Sequence, residues 1–229
     1  MKKEVISMPT DAIYAVYGAS GCGRGIMPLA RAQLQAAGVA ANRLVFVDDA
    51  PGAAYINGQR LLTCAQFLAE PAAQRFAVLA IANGAVREKL AAQCAQDGVQ
   101  PWTVQADNLV IMDAVELGAG AVLSPFVTLT SNIRIGQHFH ANLYSYVEHD
   151  CVIGDFVTFA PGVKCNGNIV IEDHAYIGAG AVIKQGKPGQ PLVIGRGATV
   201  GMGAVVTKSV PAGATVVGNP ARVMATQQK

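Results

Sequence analysis

Apolar residues recur at every sixth position of the chain from residue 111 onward. A period of six fits neither the α-helix, with 3.6 residues per turn, nor the two-residue alternation of a strand. It is typical of hexapeptide repeats, in which three repeats form one 18-residue coil of a parallel β-helix. The register breaks at 186–191 and resumes at Ile194, Val200 and Val206. The thirteen successive apolar positions are Ile111, Leu117, Leu123, Leu129, Ile135, Ala141, Val147, Ile153, Phe159, Cys165, Ile171, Ile177 and Ile183.

A second row of residues follows four positions after each of the first twelve, and it also points inward. Its members are Val115, Ala121, Val127, Ile133, Phe139, Ser145, Cys151, Val157, Val163, Ile169, Ala175 and Ala181. Two inward positions per hexapeptide describe a closed prism with small and medium side chains inside.

The first hundred residues follow a different pattern. Apolar runs at 12–17, 43–47 and 76–82 predict buried strands, and segments 24–37, 62–70 and 85–97 have helical spacing. Strands that alternate with helices imply βαβ units and a parallel sheet. We therefore predict an α/β plus β chain. A small Rossmann-like domain spans 1–105, and a β-helix domain of hexapeptide repeats, closed by a C-terminal cap, spans 106–229.

Composition agrees with a regular array of small side chains. The chain has 229 residues, of which 52% are hydrophobic, 14% charged and 6% aromatic, with 25 glycines. No apolar run approaches the roughly 20 residues of a membrane-spanning helix, so we expect no membrane insertion. The net charge of +2 comes without a clustered basic patch, so we expect no nucleic-acid partner.

The N-terminal sequence and the cysteine pattern predict a cytoplasmic location. Residues 1–11 lack the apolar core of a signal peptide. The five cysteines are odd in number and form no CxxC pair, which favours reduced thiols in the cytoplasm over a disulfide framework or a zinc ribbon.

Six motifs identify a family resemblance that covers nearly the whole chain. They are YGASGCG at 17–23, FVDD at 46–49, AIAN at 80–83, NLYSYVEHDCVIG at 142–154, GVKCNGN at 162–168 and GNPA at 218–221. Together they resemble the bacterial nucleotide-aminosugar N-acetyltransferase and sialic-acid O-acetyltransferase family. The resemblance implies a left-handed β-helix, acetyl-CoA as co-substrate, and a homotrimer with active sites at the subunit interfaces. It also implies the activity of an N-acetyltransferase, in which the 4-amino group of a UDP- or GDP-linked 4-amino-4,6-dideoxy sugar attacks the thioester directly with the help of a His general base.

The EHD segment holds the candidate catalytic base. His149 lies two residues after an inward position, so its side chain should point outward, and a histidine is suited to accept a proton near neutral pH. In the family, the next acid holds the imidazole tautomer. That acid is often Glu, whereas this chain has the shorter Asp150. The resemblance also assigns the oxyanion-binding backbone N–H to Gly167 and a substrate contact to Asn142.

The front domain should bind the nucleotide sugar. A glycine-rich turn after a strand lets backbone N–H groups and a helix N-terminus approach a diphosphate. Carried over from the family, the substrate-binding residues there are Ser20, Gly21, Cys22, Asp48, Asp49, Ala82 and Asn83. The coenzyme A contacts are Ala179, Gly201 and Met202. The chain departs from the family at Cys22 and Thr158, where relatives often have His.

Several alternatives stay open at this stage. Cys151 could act as a nucleophile beside His149, although its inward position favours core packing. His138, His140 and His174 together with His149 do not match the spacing of a β-helix zinc site, so we expect no metal. An O-acetyltransferase of a sialic-acid-like sugar is the alternative activity, and a non-catalytic assembly protein is a third.

Overall fold

The structure is a computed structural model that describes residues 8–50 and 52–224. The chain forms two compact units, the first made of Met1–Ala82 and Val86–Gln105, the second of Asn83–Ala85 and Ala106–Lys229. The functions assigned to the two domains stay predictions. Residues 1–7, interpreted above as lacking a signal peptide, lie outside the described part.

The first unit contains a mostly parallel sheet. Its elements are β1 (Ile13–Tyr17), α1 (Gly21–Ala36), a 3-10 turn (Ala41–Arg43), β2 (Leu44–Val47), β3 (Tyr55–Ile56), β4 (Gln59–Leu62), α2 (Cys64–Ala69), β5 (Arg75–Leu79), α3 (Gly84–Gln96), β6 (Val99–Pro101) and β7 (Val104–Gln105). The sheet order is β3-β4-β2-β1-β5-β6, with only the β3–β4 pair antiparallel. Because β2 and β5 flank β1 on opposite sides, the chain reverses its winding direction next to β1. Open α/β sheets bind ligands at the carboxyl ends of strands at such a point.

Two predicted boundaries in this unit were wrong, and one hairpin was missed. Helix α1 begins at Gly21 rather than residue 24, since the glycine-rich loop itself forms the first turn after Ser20. Strand β5 ends at Leu79, so Ala82 lies beyond the strand, in the turn before α3. The β3–β4 hairpin was not predicted, although Asn57 and Gly58 both have positive φ, as a type I′ turn requires.

The second unit consists of short strands. They are β8 (Val110–Ile111), β9 (Val115–Leu117), β10 (Val122–Leu123), β11 (Thr128–Leu129), β12 (Ile133–Ile135), β13 (His140–Ala141), β14 (Tyr146–Val147), β15 (Val152–Ile153), β16 (Thr158–Phe159), β17 (Lys164–Cys165), β18 (Ile169–Ile171), β19 (Tyr176–Ile177), β20 (Val182–Ile183), β21 (Leu192–Ile194), β22 (Thr199–Val200), β23 (Val205–Val206), β24 (Thr215–Val217) and β25 (Arg222–Val223).

These strands stack into the three faces of a β-helix. Face 1 contains β10, β13, β16, β19, β22, β24 and β25, face 2 contains β8, β11, β14, β17, β20 and β23, and face 3 contains β9, β12, β15, β18 and β21. Neighbouring strands are parallel, apart from the final β24–β25 pair.

The register confirms the predicted coil of 18 residues. Val122 pairs with His140, and His140 pairs with Thr158, at a constant separation of 18 positions. The predicted break also appears, because Ile169 pairs with Leu192, five residues later than the period requires. The left-handedness of the β-helix and the Rossmann-like class of the first unit stay predictions.

The two inward rows form one continuous core. Phe139 and Phe159 are fully buried there and meet edge to face, with ring centroids 5.1 Å apart. The first coil is the exception: Ile111 is 38% exposed because β8 has a neighbour, β11, on one side only.

The corners between faces need residues with positive φ. One corner uses Asn132, Asp150 and Asn168 in successive coils, at φ 57°, 58° and 57°. Asn and Asp tolerate this left-handed conformation better than most side chains. The corner between faces 2 and 3 therefore accommodates Asp150 directly after His149.

Candidate functional site

His149 and Asp150 form an adjacent pair on the corner between faces 2 and 3. The Nδ1 atom of His149 lies 2.7 Å from Oδ2 of Asp150, so the shorter carboxylate reaches the ring. The two side chains are 43% and 50% exposed. The pair is therefore held by its own hydrogen bond and remains accessible to a substrate.

The carboxylate sets the protonation behaviour of the imidazole. The hydrogen bond to Asp150 raises the pKa of His149 above its ordinary value. Desolvation, the next largest effect, lowers this pKa, and the charges of Asp150 and Glu148 raise it further. In the neutral ring, Asp150 favours the proton on Nδ1, which leaves the lone pair on Nε2. That nitrogen can accept a proton from an incoming nucleophile.

Gly167 lies directly beneath the imidazole, one coil later. A Cβ atom on Gly167 would come within 2.6 Å of Cε1 and 2.7 Å of Nε2 of His149, so the ring occupies the space that a side chain would need. The Asn168 N–H donates to the His149 carbonyl at 3.0 Å and fixes the stacking of the two coils. Within residues 8–50 and 52–224, no hydrogen bond uses the Gly167 N–H.

Equivalent corner N–H groups elsewhere in the prism bind carboxylate oxygens. The N–H of Gln137 donates to Asp155 Oδ1 at 2.8 Å, and the N–H of Asp155 donates to Asp173 Oδ1 at 2.9 Å. These two positions precede His149 and Gly167 by two hexapeptides each. The corner backbone thus has the geometry to hold a negatively charged oxygen, and at Gly167 that capacity lies beside the imidazole.

Asn142 and the cofactor candidates lie on the next corner, between faces 1 and 2. The Nδ2 of Asn142 donates to the Phe159 carbonyl at 2.7 Å. Corner hydrogen bonds stack the coils that contain Leu143, Pro161 and Ala179 in succession: Gly162 N to Leu143 O, Gly180 N to Pro161 O, and Gly203 N to Ala179 O. Gly201 and Met202 continue this corner, and Met202 is exposed. In one chain, strand β14 separates these residues from His149, so the structure does not bring the two groups together.

A basic cavity of about 490 Å³ lies on the His149 corner, two coils further on. The Gly186 N–H donates to the Gly167 carbonyl at 3.0 Å, which connects the inserted loop to the coil beneath His149. Lys184, Lys187 and Lys208 line the cavity together with polar and backbone groups of the loop. Sequence reasoning missed these lysines, although the break in register at 186–191 marked their place.

In the first unit, Asp48 and Asp49 directly follow β2 and line a cavity of about 350 Å³. The Tyr17 hydroxyl donates to Asp49 Oδ1 at 2.5 Å, and the Ala19 N–H donates to Asp48 Oδ2 at 3.1 Å. Burial raises the pKa of Tyr17, and its hydrogen bond to Asp49 adds to the rise. Gly18 and Ile81 also line this cavity, so it lies where the sheet changes its winding direction.

Ser20, Gly21 and Cys22 lie at the start of α1, as the glycine-rich motif predicts. The side chain of Arg87 is fully buried, and its Nη1 donates to the carbonyls of Ile81 at 2.5 Å and Ala82 at 3.2 Å. Burial raises the pKa of the Cys22 thiol, and the charge of Arg87 partly offsets this. Asn83 directly follows and belongs to the second unit.

Of the remaining histidines, His140 is buried, and His138 and His174 pack against one aromatic ring. The rings of His138 and His174 stack on either side of Phe156, at centroid distances of 5.1 and 5.6 Å. In the described part of the chain, no group of three or more His, Cys, Asp or Glu side chains is placed to hold a metal ion. The helices described there are too short or too polar to cross a membrane.

Comparison with known proteins shows the family to which the chain belongs. Residues 168–208 match the model "Hexapeptide repeat of succinyl-transferase". The chain is 51% identical over 212 residues to the GDP-perosamine N-acetyltransferase of Escherichia coli O157:H7. The aligned residues make up 93% of this chain and 96% of the relative. The chain belongs to the bacterial nucleotide-aminosugar N-acetyltransferases with hexapeptide repeats. The predicted family and the predicted acyltransferase class are thereby confirmed.

Two solved structures have the same fold over nearly the full length. WeeI from Acinetobacter baumannii AYE is 59% identical, with a TM-score of 0.91, covering 93% of this chain and all of its own. The acetyltransferase domain of PglB from Neisseria gonorrhoeae FA1090, solved in complex with acetyl coenzyme A, is 26% identical, with a TM-score of 0.80, covering 94% of this chain and all of its own.

Proposed function

We propose that this protein transfers the acetyl group of acetyl-CoA to the 4-amino group of a GDP-linked 4-amino-4,6-dideoxy sugar. The observation that carries the proposal is the His149–Asp150 pair set above Gly167, whose N–H no described group engages. The 51% identity to a GDP-perosamine N-acetyltransferase supports the sugar and favours GDP over UDP.

The corner geometry supports direct transfer with His149 as general base. The neutral sugar amine attacks the thioester carbonyl, and Nε2 of His149 accepts the proton that the nitrogen loses. The Gly167 N–H donates to the oxyanion that forms on the carbonyl. When the C–S bond breaks, the protonated imidazole returns the proton to the departing thiolate. Asp150 holds the ring orientation and stabilises the imidazolium throughout, as the acid of a Ser-His-Asp triad does.

The basic cavity suits the phosphates of coenzyme A. Lys184, Lys187 and Lys208 provide positive charge for the phosphate groups, while the thioester end would reach His149. Strands in a sheet are about 4.8 Å apart, so two coils place the cavity about 10 Å from the imidazole along the prism. A pantetheine arm is long enough to span that distance.

The exposed corner between faces 1 and 2 supports a homotrimer with shared active sites. Phe126 and Tyr144 stack there at 4.8 Å and are 52% and 64% exposed, and Leu143 and Met202 are also exposed. An apolar patch of this kind usually marks a protein interface. If a second copy covers this corner, its Asn142 and coenzyme A contacts come next to the first copy's His149, which a single chain does not achieve.

The first unit would bind the nucleotide as a Rossmann-like domain. Its cavity at the carboxyl ends of β1, β2 and β5 offers the carboxylates of Asp48 and Asp49 to donors of a base or ribose. The start of α1 at Gly21 offers backbone N–H groups to the diphosphate.

The proposal is tested with a panel of acceptors and acetyl-CoA. Thiol release and product mass are measured for GDP- and UDP-linked 4-amino-4,6-dideoxy sugars and for a sialic-acid-like sugar. We expect the highest kcat/KM for a GDP-linked amine, with a product that survives mild alkali as an amide does. An alkali-labile ester, or turnover with the sialic-acid-like sugar alone, would identify an O-acetyltransferase instead.

A further inference from the structure

Two donor side chains interrupt the second inward row of the prism. Every other member of that row is apolar, whereas Ser145 and Cys151 carry a hydroxyl and a thiol. Ser145 Oγ donates to the carbonyl of Ala160 at 3.1 Å, and Cys151 Sγ donates to the carbonyl of Asn166 at 3.2 Å. Each acceptor lies 15 residues after its donor, so the two hydrogen bonds are equivalent contacts on neighbouring corners.

The acceptor of the Cys151 thiol belongs to the peptide that presents the Gly167 N–H. In a trans peptide, the C=O and the N–H point in opposite directions, because the group is planar. Cys151 is buried in the core, so its hydrogen bond holds the Asn166 carbonyl toward the prism interior. The N–H of the same peptide, on Gly167, then faces away from the interior, and the exposed imidazole also lies outside the prism, against Gly167.

The same thiol also contacts the coil that carries the base. Cys151 Sγ lies 3.6 Å from the carbonyl of His149, so one side chain bridges the backbone of the base and the backbone of the oxyanion donor. Cys165 lies beside it, with its Sγ at 4.0 Å from the same Asn166 carbonyl, a longer contact than that of Cys151. Its interaction with Cys151 and its full burial hold the pKa of Cys165 well above its usual range. As a donor, Cys165 lowers the pKa of the Cys151 thiol.

The side chain of Asn166 fixes the other end of this peptide. Its Nδ2 donates to the Ile183 carbonyl at 2.7 Å, and its Oδ1 accepts from the Tyr146 hydroxyl at 2.9 Å. These bonds hold Asn166 between the coils before and after it. Rotation of the peptide about its two flanking bonds is opposed on one side by Asn166 and on the inner side by Cys151.

We propose that Cys151 is a positioning residue, whose thiol holds the Asn166–Gly167 peptide with its N–H directed at the oxyanion site. This inference rests on the proposed function. The proposed role differs from both earlier interpretations of Cys151, which were a nucleophile and a core-packing residue. Without the hydrogen bond from Cys151, the Asn166–Gly167 peptide can rotate, and the Gly167 N–H no longer points at the oxyanion site.

The test compares Cys151→Ala, which removes the donor, with Cys151→Ser, which retains one. Val127→Ala is the matched control, because Val127 is a fully buried member of the same row and also loses core volume. We expect Cys151→Ala to lower kcat on the order of tenfold, since loss of a whole oxyanion donor costs about 10²–10³-fold. KM and the midpoint of the kcat–pH profile should stay unchanged, because the base is intact. Cys151→Ser should recover most of kcat, and Val127→Ala should stay within about twofold of the parent.

Three kinetic results would overturn the inference: Cys151→Ala within twofold of the parent, Cys151→Ser as slow as Cys151→Ala while folded, or an equal loss in Val127→Ala. A crystal structure of Cys151→Ala supplies a readout independent of turnover. It should show the Asn166–Gly167 peptide rotated or in two orientations, and an unchanged peptide would contradict the inference. If the parent protein transfers no acetyl group to any amine, the proposed function fails, whereas the peptide orientation still tests the role of Cys151.

Discussion

The chemistry of the candidate site depends on a hydrogen bond between two adjacent residues. His149 and Asp150 can pair because Asp150 occupies a left-handed corner position, at φ 58°, that turns its carboxylate to the ring. The position therefore favours Asp, because its short side chain tolerates the left-handed backbone conformation. The family often has Glu there, and the 2.7 Å contact shows that one methylene less does not prevent the pairing.

The pH dependence of turnover should report the pKa of His149 in this pair. The hydrogen bond to Asp150 raises the pKa of His149, and a base works only when unprotonated, so kcat should rise with pH through that raised pKa. Asp150→Asn removes the carboxylate. The midpoint should then move to lower pH, and the plateau kcat should fall on the order of tenfold because the ring loses its fixed tautomer. A midpoint that stays in place or rises, measured under saturating substrates, would show that Asp150 does not control the imidazole.

Gly167 should be intolerant of even one methyl group. The Cβ of Gly167→Ala would lie 2.6 Å from Cε1 of His149 and must displace the ring. Because the ring is exposed and can move, we expect a loss of kcat on the order of 100-fold with little change in melting temperature. In a His149→Ala background, the same substitution should cost much less. Equal losses in both backgrounds would mean that Gly167 does not act through the imidazole.

At the scale of the elements, stability depends on where a repeat lies in the stack. Phe159 and Ile111 occupy the same inward row, yet Phe159 is fully buried and Ile111 is 38% exposed. Phe159→Ala should lower the free energy of unfolding by about 3–5 kcal/mol, whereas Ile111→Ala should cost less than about 1 kcal/mol. Denaturant unfolding at one protein concentration measures both. Similar losses for the two variants would contradict the core described here.

The same pair of residues shows how far the sequence predicts the elements. The six-residue register predicts the inward rows, the 18-residue coil and the break near residue 186, because each depends on local spacing. It cannot separate Ile111 from Phe159, since the exposure of a repeat depends on whether a coil lies on both sides. The β3–β4 hairpin was missed for a different reason: its strands are too short for a period, and only Asn57 and Gly58 mark the turn.

The candidate site also has a part that the sequence predicts and a part that it does not. His149, Asp150 and Gly167 follow from a motif, and the structure brings them together on one corner. The hydrogen bond from Cys151 to Asn166 joins residues in successive coils, and no local pattern in the sequence indicates it. An inward Cys is indistinguishable from an apolar core residue until the stacked backbone supplies its acceptor.

At the scale of the whole molecule, we predict a trimer. In sedimentation equilibrium, the protein should have three times the 23.7 kDa mass of one chain. Tyr144→Asp places a charge in the exposed apolar patch beside Leu143 and Phe126, so it should weaken association and lower activity together. A fully active monomer would show that one chain suffices for the site.

The most direct test of the account is the turnover of His149→Ala. Thiol release is measured at saturating acetyl-CoA and GDP-linked 4-amino sugar, with acetyl-CoA binding and sedimentation as controls for folding. Loss of a general base should lower kcat about 10²–10⁴-fold, with acetyl-CoA binding and assembly retained. A His149→Ala protein whose kcat stays within threefold of the parent would contradict the assignment of His149 as the base.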